Sequence, residues 1–169
     1  MPNHVTHKIE FDAAKAEEVF SAVMSGENFD FNLLVPYPAH MYHGSISSED
    51  EKDFPCNWNS WQRENWGTKW NSYDCKHGIE NGKAFIKFDT AWSIPYPVLS
   101  AFANKFKVPF EHRYYSDGGN FWGVERWGYD EFEKEVFMRI TKRKSDKADE
   151  IPLCVELKGD DPSKNEEES

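Results

Sequence analysis

Residues 81–92, "NGKAFIKFDTAW", form the clearest strand in the chain, and their reading decides the fold. Asn81-Gly82 marks a hairpin turn feeding the strand. Beyond it Ala84, Ile86 and Phe88 fall on one parity and Phe85 on the other, the period of 2 expected of a strand with one face in a core.

The flanking segments supply its partners. Upstream, "NHVTHKIEFD" is a first strand, with Val5, His7, Ile9 and Phe11 on one parity. A helix follows in "DAAKAEEVFSAVMSG", with Asp12 as N-cap, a stripe of Ala16, Val19, Phe20, Val23 and Met24, and Gly26 as the stop. Residues 29–38, "FDFNLLVPYP", give a short strand or extended entry. Downstream, "SIPYPVLSAFANKFKV" predicts a second helix, capped by Ser93 and apolar through Val98, Leu99, Phe102 and Phe106. "PFEHRYYSDGGNFWGVERWG" reads as two strands joined at residues 117–120.

This order is β-α-β-β-α-β with one appended strand. It predicts an α+β, ferredoxin-like fold, an antiparallel sheet with both helices on one face. The expected domain spans 1–130, with a polar, tryptophan-rich insertion at 39–80. Residues 131–158 form an extension packing on it. There "EVFMRITKRK" fits a strand through Val136, Met138 and Ile140 or a helix through Phe132, Val136 and Ile140, and 151–157, "IPLCVEL", reads as a short strand. Residues 159–169 read as a solvated acidic tail.

Composition narrows the function classes. A net charge of -10 disfavours a nucleic-acid partner, because tracking phosphates needs clustered Lys and Arg. From Lys144 onward four positive residues face nine negative ones, so much of the acidity is terminal. Aromatic residues make up 16 %, which points to a core of large rings. Three cysteines without paired spacing, no signal peptide and no long apolar run predict a soluble, cytoplasmic protein with reduced thiols and no membrane partner.

No nucleophile elbow, phosphate loop, dinucleotide fingerprint or H-E-x-x-H motif is present, so no catalytic residue is assigned. Cys56, Cys75, His77, His40 and His43 match no zinc spacing, and neither a metal nor a cofactor is expected. Four of the seven tryptophans, Trp58, Trp61, Trp66 and Trp70, fall in thirteen positions among Asn and Gln. On a short helix capped by Asn65, Trp66, Trp70 and Tyr73 would share one face. With Arg63 and Lys69 beside it, that face would suit a planar or sugar-like ligand. The strand at 81–88 also resembles the first ribonucleoprotein motif of RNA-recognition domains. Its Phe85 would then lie on the open sheet face, although Lys83 and Asn81 depart from the motif.

Three blocks together carry a further resemblance: "ENWGTKWNSYD" (64–74), "FDTAWSIPYPVLSAFANKF" (88–106) and "YYSDGGNFWG" (114–123). They are similar to the hallmark segments of phage- and plasmid-encoded proteins with a YubB-type ferredoxin-like domain. The resemblance spans residues 1–125 and implies a fold and a genetic setting, without catalytic residues. That setting implies a non-catalytic accessory protein that binds a host or element protein, including inhibition of a host defence or regulatory protein. The alternatives are a small-molecule or nucleotide site on the tryptophan cluster, and single-stranded nucleic acid on the sheet face. The candidate binding residues are Trp58, Trp61, Arg63, Trp66, Lys69, Trp70, Tyr73, Phe85, Trp92 and Trp122. The signature blocks place Trp66, Trp70 and Trp92 in a packed nucleus and leave Trp58 and Trp61 as the exposed pair.

Overall fold

The structure, a computed structural model, describes residues 3–130, 137–142 and 147–159. It begins with β1 (His4–Asp12), whose Val5, His7, Ile9 and Phe11 are all buried on one face as their parity predicts. Asp12 accepts from the Ala14 N–H and starts a short 3-10 turn before α1 (Ala16–Val23), which buries Ala16, Val19 and Val23. Met24 and Gly26 fall outside this helix. They belong to a small hairpin of β2 (Met24–Ser25) and β3 (Asn28–Phe29), with Gly26 in the turn at φ +63°.

The chain then leaves the sheet until residue 72, passing through α2 (Asp50–Asp53) and α3 (Trp58–Asn65). It returns as β4 (Tyr73–Glu80), and the two-residue turn Asn81-Gly82 leads into β5 (Lys83–Ala91). Both turn residues have positive φ, 51° and 76°, as a hairpin with matching twist requires. Next come α4 (Tyr96–Phe106), β6 (Phe110–Ser116), β7 (Trp122–Tyr129), β8 (Phe137–Lys142) and α5 (Lys147–Lys158).

The sheet order is β4-β5-β1-β6-β7-β8, antiparallel throughout. Its first four strands reproduce the ferredoxin-like order, with each helical crossover skipping one strand. The second core strand is therefore 73–80, not 29–38, and the insertion spans 24–72 rather than 39–80. The sequence misled because β4 is an edge strand with exposed Asp74, Lys76 and Glu80, so it carries no apolar alternation. Among the described residues two strands, β7 and β8, are appended rather than one. The Phe132 and Val136 part of the 131–142 reading lies outside the described residues, and 137–142 is strand.

Residues 151–157 form part of helix α5, not a strand. Leu153, Cys154 and Leu157 are buried together against Tyr115, Trp122 and Val124, whereas Ile151 and Val155 stay exposed. Burial at i, i+1 and i+4 is a helical stripe, which the apolar content of the segment disguised as a strand. This helix lies on the sheet face opposite α1 and α4, where Glu156 pairs with Lys8 and Arg113. The helices thus cover both faces. Beyond Gly159 the acidic tail lies outside the described residues.

The main core lies between the sheet and α1 with α4, around Ile9, Phe11, Ile86, Phe88, Leu99 and Phe102, with Phe29, Phe31 and Trp66 brought in by the insertion. α4 is capped at its C-terminus by Lys107, a non-glycine residue in the left-handed region at φ 49°. Lys107→Gly should therefore stabilise the fold by about 0.5–1 kcal/mol in urea denaturation. A loss of stability would show that Lys107 makes up that strain through its side chain.

The Trp92 cleft as candidate functional site

The tryptophan stretch divides by burial, and not as its sequence suggests. α3 is N-capped by Asn57, whose side chain accepts from the Ser60 N–H. The helix ends at Asn65, and Gly67 at φ +76° turns the chain away. Trp66, Trp70 and Tyr73 therefore share no helical face. Asn65 donates to the Trp61 carbonyl instead of capping a turn.

Only Trp66 of the expected nucleus is fully buried. Its ring packs against Phe31, Tyr37 and Trp61, and its indole N–H donates to the Val35 carbonyl at 2.9 Å. Trp61, expected to be exposed, is half-buried on Trp66 and Tyr37. Trp58, also half-buried, donates to the Gly44 carbonyl. The insertion folds back on itself, so both rings find apolar and carbonyl partners locally. Trp70 is half-buried with the Lys69 ammonium 4.8 Å from its ring.

Trp92 is the reverse case: assigned to the nucleus, it is 51 % exposed. Its φ is +73°, and the Ser93 N–H donates to the Ala91 carbonyl at 3.0 Å. These features define a γ-turn with a positive central φ, a rare and strained conformation. For a bulky residue it costs about 1–3 kcal/mol and persists only where the surroundings over-determine it. The surroundings do so here. The Trp92 N–H donates to the Asn3 carbonyl, Thr90 Oγ1 donates to the Ser93 carbonyl, and Ser93 Oγ donates to the Gly67 carbonyl. That last bond explains why Ser93 does not cap α4, which starts three residues later.

The two loops so joined enclose a cleft of about 350 Å³, lined by Arg63, Gly67, Thr68, Lys69, Trp92 and Ser93. Gly67 is needed for more than its φ, because a Cβ there would lie 2.9 Å from Pro97 Cδ. Among the described residues, Arg63 and Lys69 enter no ion pair with an acid. A wider hollow of about 730 Å³ lies at the opposite end of the sheet, but its Arg113 is engaged by Glu10, Glu111 and Glu156. Lys83, Arg126 and the exposed Tyr129 line that hollow too, so what sets the Trp92 cleft apart is the strained turn that holds its ring out beside Arg63 and Lys69.

The structure thus brings together Arg63, Lys69 and Trp92 from the predicted set. It sends the others elsewhere. Tyr73 lies at the start of β4, hydrogen-bonded to His4, and burial with nearby Asp89 pushes its hydroxyl up to about 12. Phe85 is half-buried on the α5 side of the sheet, 5.4 Å from the Lys8 ammonium, and Trp122 packs against the α5 cluster. Cys75 and His77 share the helix-side face of β4, and Cys75 Sγ accepts from the Phe29 N–H.

A buried polar chain that the sequence did not announce runs beneath the cleft. Thr90, His7, His112 and Glu125 are each 0 % exposed. His7 Nε2 lies 2.8 Å from Thr90 Oγ1, and His7 Nδ1 lies 2.9 Å from His112 Nε2. His112 Nδ1 is 3.3 Å from Glu125 Oε2, and the Tyr96 hydroxyl donates to Glu125 Oε1 at 2.5 Å. The only hint in the sequence was His7 sharing the parity of Val5, Ile9 and Phe11, and His112 that of Phe110 and Tyr114.

Burial holds His7 well below the ordinary histidine range, and the neighbouring His112 charge lowers it further. The sign follows. Below about pH 6.5 the unfolded chain takes up a proton at His7 that the folded chain refuses, so stability falls as pH falls. At Glu125, burial alone would raise the carboxyl. Hydrogen bonds from His112 and Tyr96, with the His112 and Arg139 charges, outweigh it and hold the group below its ordinary value. Its contribution is lost only in stronger acid. Between pH 6 and 5 the stability of the wild type should therefore fall more steeply than that of His7→Phe, by about 1 kcal/mol per pH unit. Parallel curves from urea denaturation at several pH values would show that His7 is not held neutral.

Comparison with known proteins agrees with this architecture. A family model described as the ferredoxin-like domain in Api92-like protein matches residues 65–152. The chain belongs to this family. The Api92-like match takes in both loops of the cleft from Asn65 onward, together with Thr90, His112 and Glu125, and leaves out Arg63 and His7. No curated protein and no solved structure matches the chain. Among the described residues no helix is long and apolar enough to cross a membrane.

Proposed function

We propose that this protein acts by binding, and that the Trp92 cleft holds a small, ring-bearing anion of the nucleotide class. The ring would lie on the exposed indole, and the anionic group between Arg63 and Lys69. The carrying observation is Trp92 itself, half-exposed at φ +73° in a turn held by four hydrogen bonds. Strain of this kind, kept where burial of the ring would be favourable, marks a residue set out for a ligand. The cleft volume fits a small-molecule site, and ring stacking contributes about 1–3 kcal/mol per base. In a chain of net charge -10, two cations without acidic partners also form a local positive spot that attracts an anion.

The test is calorimetric titration with adenosine monophosphate, beside adenosine and inorganic phosphate. The wild type should bind the nucleotide best. Trp92→Ala, and Arg63→Ala combined with Lys69→Ala, should each weaken it tenfold or more. Unchanged affinity in Trp92→Ala would refute the assignment.

A second reading, a non-catalytic accessory protein docking on a host or element protein such as a defence protein, is favoured by α5. Its Ile151 and Val155 are 43 % and 45 % exposed one turn apart. The phage or plasmid setting implied by the YubB-type resemblance accords with this role. Association through the acidic surface would slow steeply with salt, which separates this reading from ring stacking.

A further inference from the structure

We propose that His7 is the positioning residue of the Trp92 site, fixing the strained turn through Thr90 and the Ser93 carbonyl. The proposal rests on the binding role given to that site above. Its basis is the direction of the buried chain, which a single backbone group sets.

The Ser93 carbonyl can only accept, so at 2.7 Å Thr90 must spend its one hydroxyl proton there. At 2.8 Å from Thr90 Oγ1, His7 Nε2 must then be the donor. A neutral imidazole has one N–H, so His7 Nδ1 is a bare acceptor, and His112 Nε2 donates to it across 2.9 Å. His112 Nδ1 faces Glu125, whose other oxygen receives Tyr96 and, at 3.4 Å, Arg139. The only freedom left is one proton shared between His112 and Glu125.

Each link joins neighbouring strands on the helix-side face, from β5 to β1 to β6 to β7. Stacking fixes the His7 ring, 4.8 Å from Phe88 and 5.2 Å from His112 by centroid. Thr90, His7, His112 and Glu125 are each fully buried, so between them water cannot substitute for a missing partner. The His7 donor occupies a lone pair of Thr90 Oγ1 and leaves its proton aimed at Ser93. Since Ser93 follows Trp92 directly, holding its carbonyl holds the γ-turn and thus the indole at the cleft.

The experiment compares Thr90→Val, which deletes the hydroxyl at near-constant volume, with Thr90→Ser, which keeps it. One readout is the affinity for adenosine monophosphate. The other is hydrogen exchange of the Trp92 amide in the free protein, where that N–H is bonded to Asn3. Thr90→Val and His7→Phe should each weaken binding tenfold or more and speed Trp92 amide exchange tenfold or more. Thr90→Ser should stay within twofold on both. The double variant His7→Phe with Thr90→Val should be no worse than the poorer single, as two links of one chain require. Should Thr90→Val not fold, His7→Phe against His7→Gln, which keeps an N–H toward Thr90, makes the same comparison. Folded Thr90→Val with wild-type Trp92 exchange overturns the proposal. If the wild type does not bind the nucleotide, the amide readout still decides the positioning role, so the two failures are separable.

Discussion

Glu125→Ala should cost about 3–5 kcal/mol of folding stability, the range for breaking a buried ionic pair by removing one partner. The carboxylate is fully buried and takes hydrogen bonds from Tyr96 and His112, with Arg139 at 3.4 Å. Its removal would leave the His112 Nδ1 position facing a void, and the Tyr96 hydroxyl without its acceptor. Tyr96 opens α4, so the loss would also loosen that helix from β7. Glu125→Gln keeps an acceptor for Tyr96, and its amide can donate to a neutral His112. It should lose roughly half as much. Urea denaturation with both variants tests this, and a loss under about 1 kcal/mol in Glu125→Ala would mean that the buried chain is not a structural tie.

Trp66→Ala should have an effect of the same size, about 3–5 kcal/mol, for a different reason. The indole is fully buried at the junction of the insertion and the sheet, against Phe31, Tyr37 and Trp61. Truncation leaves a cavity and strips the Val35 carbonyl of its donor. Trp66→Phe fills much of the cavity but still leaves that carbonyl unpaired, so it should fall between the two. The same variants should also disturb the Trp92 cleft, since Gly67 follows Trp66 directly and lines it. If Trp66→Ala unfolded at the wild-type urea midpoint, the insertion would have to be an independent appendage.

The two variants probe parts of the molecule that were unequally legible. Strands β6 and β7 could be read from the turn that joins them, and strands β1 and β5 and helices α1 and α4 from periodicity, because each of the latter turns one apolar face to the main core. For such elements the pattern of apolar residues is itself the fold. β4 could not be read that way, since an edge strand with a polar outer row carries no alternation. α5 was misread because Ile151 and Val155 make its sequence apolar at positions that packing leaves exposed.

The site divides along the same line. Arg63, Lys69 and Trp92 were singled out by residue type, but from separate blocks and with the wrong burial for Trp92. Nothing local in "DTAWSIP" states that Trp92 adopts a positive φ. The turn exists because Asn3, Thr90 and Gly67, from three different segments, hold its polar groups. Glu125 was invisible, and His112 marked only by its parity, for a related reason. Each is an ordinary polar residue in its own strand, and only the β1-β6-β7 register sets His7, His112 and Glu125 in one line.

By itself, then, the sequence determined the ferredoxin-like succession of strands and helices and the aromatic core, because alternation and helical stripes are local consequences of one-sided burial. Only the tertiary structure decided which tryptophans face water, which strand closes the edge, and how a buried polar chain ends beneath Trp92. Those outcomes depend on groups far apart in the chain satisfying one another's hydrogen bonds, and no local pattern records such a pairing.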